Sequence, residues 1–160
     1  MEEDVERLRE QAATLDSDDT SWDLVAQSDG KEIYTSEWKE EHQTVVNTFI
    51  TIFGPIAKSH AQDRGTRISR ALHRNLTWMK KGQMKTKDRT ICWLIPCIRR
   101  AGSAPIVERA FEGQAQGHPV SWRNAVFLPE RSELRLIEGT IKFIGFTFEL
   151  AQTESYPSRE

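Results

Sequence analysis

A chain of 160 residues suits one domain with a single core, and 38% hydrophobic with 29% charged residues describes a modest core with polar extensions rather than a disordered polymer. No apolar run approaches the ~20 residues that cross a bilayer, and the opening MEEDVERLREQ lacks the basic-then-apolar character of a secretion signal. The net charge of −2 conceals an asymmetry: residues 1–24 carry −7, 25–57 carry −3, 58–100 carry +10 and 101–160 carry −2.

In chain order, residues 2–15 read as a short helix with a thin apolar stripe of Val5, Leu8 and Ala12. With the polar linker that follows, they make residues 1–21 an acidic, mobile arm, ahead of one globular domain over 22–152 and a disordered tail over 153–160. Asp29-Gly30 between residues 22–27 and 32–35 predicts a hairpin. Ser36 is placed to cap a helix carrying Trp38, Val45, Val46, Phe49, Ile50 and Phe53, although its β-branched density leaves 44–53 open to strand. Gly54-Pro55 should end or kink that helix.

The run 66–81 predicts a second helix, with Ile68, Leu72, Leu76 and Met79 inward and Gly82 at its end. A lysine-bearing loop follows, and then a strand over 89–98, apolar on both faces. Cys92 and Cys97, five apart, fall on opposite faces of that strand, so no disulfide between them is expected and a reduced, intracellular setting follows. Strands are predicted over 106–114, 120–128 and 134–150, with a turn at 129–132. The apolar phase flips beside Gly145, which predicts a bulge. The fold class expected is α+β: helices mainly in the N-terminal half packed on an antiparallel β-sheet from the C-terminal half.

The basic block is the candidate working surface, because such a block attracts phosphate on nucleic acid or on anionic lipid. On the expected helix, Arg67, Arg70 and Arg74 form a row with Trp78 one turn beyond, suited to phosphate contact and base stacking. Trp78 as a plain core residue is the alternative. Lys80, Lys81, Lys85 and Lys87 supply a mobile basic loop, and Arg99 and Arg100 close the block. No catalytic or metal-binding motif occurs, and the four histidines are scattered, so no enzyme, metal or cofactor is expected.

Glu112-Gly113, Ala115, Pro129-Glu130 and Gly139-Thr140-Ile141 follow one another in an order that resembles the matrix proteins of rhabdoviruses, over about a quarter of the chain. That resemblance implies a structural protein of the virion and host cytoplasm, peripheral at membranes. It would bind an anionic membrane surface and the nucleocapsid or RNA, and self-associate. The acidic N-terminus and the lack of a proline-rich budding motif fit a plant-infecting, cytorhabdovirus-like member. Two alternatives stand beside it: an RNA-binding suppressor of RNA silencing, and a host interaction adaptor that presents the acidic N-terminal helix.

Overall fold

The computed structural model describes residues 2–17, 20–28, 30–73, 75–97, 105–111, 118–122 and 124–153. Helix α1 (Glu2–Ala13) docks: Leu8, Ala12 and Leu15 are buried, and the Ala12 carbonyl accepts a 2.7 Å hydrogen bond from the Cys97 thiol. Through these contacts α1 packs against the rest of the described structure. The hairpin forms as the Asp-Gly pair predicts, with β1 (Trp22–Ser28) on β2 (Lys31–Ser36) and Gly30 at φ +88.

Helix α2 runs from Glu40 to Asp63 and starts after Lys39, because Ser36 is still in β2. It continues through Gly54-Pro55. Pro55 and Thr51, the residue whose carbonyl loses its helical partner, are both on the exposed side, while Val45, Phe49, Ile52, Ala57 and Ala61 keep one buried stripe on both sides of the proline. This settles residues 44–53 as helix.

The predicted helix over 66–81 is instead two strands, β3 (Thr66–His73) and β4 (Thr77–Lys81). An i, i+4 repeat is even and so does not separate a strand's two-residue period from a helix's; the β-branched Thr66, Ile68 and Thr77 favour the strand, in which a register shift turns Ile68 and Leu72 to opposite faces. Gly82, at φ +137, then passes the chain from one sheet to the other, into β5 (Gln83–Lys85). The remaining strands are β6 (Thr90–Pro96), β7 (Ile106–Phe111), β8 (His118–Ser121), β9 (Val126–Leu128), β10 (Ser132–Glu138) and β11 (Ile141–Gln152). Residues 120–128 do not form one strand; β8 and β9 belong to different sheets.

The first sheet runs β1-β2-β4-β11-β6-β9, with β3 also on β11; the second runs β5-β10-β7-β8. All pairings are antiparallel. The helices cover one face of the first sheet and the second sheet lies on its other face, which makes two cores. One holds Leu8, Phe49, Trp93, Ile144, Phe146 and Phe148. The other holds Met79, Leu94, Val107, Trp122, Leu134 and Phe143. The α+β expectation is therefore corrected: the protein is mostly β, a two-sheet sandwich to which the N-terminal half contributes four strands.

Strand β11 explains the apolar phase flip without a bulge. Its pairing with β6 runs unbroken from Phe143 to Glu149. Ile144, Phe146, Phe148 and Leu150 face the helical core while Ile141 and Phe143 face the inter-sheet core. Cys92 and Cys97 likewise sit in different cores and are not bonded to each other.

Candidate functional site

On the inter-sheet side of β11 the residues in sequence are Ile141, Phe143, Gly145, Thr147 and Glu149. The apolar filling stops at Gly145. Opposite it in β6 is Leu94, whose Cδ2 would lie 3.4 Å from a Cβ at that position. From Gly145 outward the sandwich holds a cavity of about 420 Å³, within the size range of ligand pockets. Its walls are Ile33, Leu72, Met84, Leu128, Phe143 and Cys92, with Val25 and Ala26 of β1 at one side. Leu72 reaches it because the β3–β11 register shifts between Glu149 and Leu150, so that Ile68 opposes Leu150 and Leu72 opposes Thr147.

Four threonine hydroxyls interrupt the apolar wall, of which Thr86 is engaged both as donor to the Pro129 carbonyl and as acceptor from the Ser132 N–H, which leaves three. Thr77 donates to the Asn75 carbonyl at 3.1 Å, Thr90 to the Asp88 carbonyl at 3.4 Å, and Thr147 to the Cys92 sulfur at 3.6 Å. With their protons committed, these oxygens have acceptor capacity left for a ligand. The charged groups on the lining are Lys85, Lys87 and Glu149, two cations against one anion. The lining combines an apolar body, a few polar points and a cationic bias. Among the described residues no group of histidine, cysteine and carboxylate side chains is arranged to hold a metal ion.

The residues singled out from sequence do not converge. Arg67 and Arg70 are exposed on β3, with Arg70 opposite Glu149. Lys81 is exposed at the end of β4, while Lys85 and Lys87 line the cavity. Arg74, Arg99 and Arg100 lie outside the described residues, as do Glu112, Gly113 and Ala115.

Trp78 is half-buried in a cluster on the helical side. Its ring centroid lies 5.4 Å from that of Trp22 and 5.5 Å from that of Tyr34. The Lys80 ammonium sits 4.3 Å and the Lys142 ammonium 5.0 Å from the same centroid. Both lysines are themselves paired, Lys80 with Glu32 at 3.5 Å and Lys142 with Asp16 at 2.9 Å. The Tyr34 hydroxyl donates to Glu32 at 2.7 Å, which holds the Glu32 carboxyl below its ordinary range and raises the Tyr34 phenol. The protein's own aromatics and cations therefore occupy Trp78, and Arg67 and Arg70 stand on strand β3 and not on the helix that the arginine row required. This corrects the RNA-binding alternative.

No family model matches the chain, and no curated protein matches it. Solved structures do. The EutQ protein of Clostridium difficile is 12% identical at a TM-score of 0.41, over 79% of this chain and 76% of that one. A predicted oxalate decarboxylase from Thermotoga maritima is 8% identical at 0.41, over 84% and 96%. An RmlC-like cupin family protein with a double-stranded β-helix fold, from Methanocaldococcus jannaschii, is 11% identical at 0.36, over 84% and 94%. Neither these structures nor any family model or curated relative is a viral matrix protein, so the rhabdovirus resemblance, and the membrane-to-nucleocapsid bridging it implied, are corrected. Among the described residues no helix is long and apolar enough to cross a membrane.

Proposed function

We propose that the protein is a non-enzymatic binder of a small, largely apolar molecule that carries an anionic group. The observation that carries this reading is the cavity at Gly145, walled by Ile33, Leu72, Met84, Leu128 and Phe143 and edged by Lys85 and Lys87. Apolar walls supply most of the binding free energy by removing ligand surface from water, at ~25 cal/mol per Å². The two lysines favour a carboxylate over an uncharged head, more strongly where salt is low.

Octanoate is a suitable probe, with octanol as its uncharged counterpart, both followed by titration calorimetry. Octanoate should bind more tightly than octanol, and the gap should close when Lys85 and Lys87 are both changed to glutamate. Thr147→Leu places a larger side chain on the cavity lining and should abolish binding of both. Octanoate that fails to bind the native protein, or binds Thr147→Leu unchanged, would sink the reading.

A further inference from the structure

Beyond Glu149, at the end of the first sheet where β11 finishes and β3 and β6 begin, a polar cleft of about 320 Å³ is lined by Arg64, Arg89 and Arg131 together with Asp88 and Glu130. Three separate elements bring the arginines together. Arg64 follows the last residue of α2, Arg89 precedes β6, and Arg131 lies in the turn between β9 and β10. The Glu130 carboxylate joins them: its Oε2 accepts the Arg89 backbone N–H at 3.0 Å, and its Oε1 lies 4.0 Å from Arg64 Nε. Among the described residues no carboxylate is within ion-pair distance of the Arg89 guanidinium. On the lining three arginines stand against two acids, Asp88 and Glu130.

The backbone supplies an independent observation. Arg89 and Arg131 have φ values of +58° and +54°, in the left-handed region. At the four other described positions of positive φ, Gly30, Gly65, Gly82 and Gly139, the chain uses glycine. A left-handed L-residue is strained and glycine is not. Both exceptions are arginines, and both line the same cleft.

We propose that this cleft binds a phosphate group, free or as a monoester, between the guanidinium groups of Arg64, Arg89 and Arg131. The planar fork of arginine matches phosphate oxygens in pairs, and such charge-assisted bonds are the strong ones. Arginine at the two strained positions is then kept for the ligand at a cost to the unliganded fold. This site is separate from the apolar cavity, and neither depends on the other.

The experiment is a thermal-unfolding series of the full chain with inorganic phosphate or glycerol phosphate, against sodium chloride at equal ionic strength. The native protein should gain melting temperature with phosphate but not with chloride. Arg89→Gly and Arg131→Gly should each melt as high as the native protein or higher without ligand, because the strain is relieved. Their phosphate binding should be weaker by about tenfold or more. Arg89→Lys keeps a charge and should retain part of the response. A response to inorganic phosphate alone assigns the free ion, and a larger one to glycerol phosphate assigns the monoester. The proposal is overturned if the native protein responds no more to phosphate than to chloride, if both glycine variants respond like it, or if both melt lower without ligand.

Discussion

The two sides of β11 make different uses of one strand. On the helical side Phe146 stacks on Phe49 with ring centroids 3.7 Å apart, and Trp93, Phe53 and Phe148 close around that pair within about 6 Å. Every second residue from Ile144 to Leu150 is large, apolar and buried. On the other side the sequence Phe143, Gly145, Thr147, Glu149 grades from apolar to charged, and space opens where the glycine stands. One face is filled to hold the molecule together; the other trades packing for an accommodating interior.

The difference is open to direct attack. The largest effect should come from Phe49→Ala, which removes the ring at the centre of the helical core and should cost ~3–5 kcal/mol in urea unfolding. Thr147→Val, on the same strand but facing the cavity, should change stability by less than ~1 kcal/mol. If the two changes cost the same, the contrast between the faces is false.

Next in size is Lys142→Met. It leaves the largely buried Asp16 carboxylate without its 2.9 Å partner and should cost ~1–3 kcal/mol, recovered in part by Asp16→Asn in the same chain.

Acid should act on the helical side as well. His42 is fully buried, and its Nδ1 and Nε2 face the backbone N–H groups of Lys39 and Leu76 at 3.0 and 3.1 Å. A neutral imidazole offers one lone pair and an imidazolium none, so protonation meets donors on both sides. Burial, first, lowers the affinity of His42 for a proton below its ordinary 6.5, and it does the same for His60. Because the folded form takes up the proton less readily than the unfolded one, the stability is present above pH 6.5 and is lost as the pH falls towards the lowered values. The slope is at most about 1.4 kcal/mol per pH unit for each histidine. A His42→Leu variant should lose its share of that slope in melts between pH 7.5 and 5. A slope that does not change would remove His42 from the account.

The smallest effect should be that of Gly145→Ala. The new methyl meets only Leu94 Cδ2, at 3.4 Å, so stability should move by less than ~1 kcal/mol while octanoate binding weakens.

Much of the sheet was legible where local chemistry decides it. Asp29-Gly30 makes its hairpin, the 89–98 run contains β6, and Pro129 to Ser132 turns the chain. The stretch 66–81 was not legible, because spacing by four does not separate the two periods and only pairing with β11 and β2 selects the strands. Of the cavity lining, only Lys85 and Lys87 stand among the candidate site residues read from the sequence, while Leu72 and Cys92 were read as structural and Gly145 as a bulge. Thr77 and Thr147 were missed because the void belongs to two sheets distant in sequence. A signal was present all the same: a strand whose apolar phase flips beside a glycine is a strand buried on both faces. Arg89 and Arg131 carry no such sign, since only the coordinates show that their turns need a left-handed residue.

The place of β11 in the chain has a further consequence. It is the last described strand, yet it pairs with β3, β4 and β6 and contributes side chains to both cores. During synthesis α2, β3, β4 and β6 are therefore made long before the strand that joins them. Strand β3, and the edges of β4 and β6 that β11 covers, stay unpaired until residue 152 has emerged from the ribosome. Such a chain closes late and over long sequence separations, which makes its folding slow and leaves the nascent form dependent on protection from neighbouring chains.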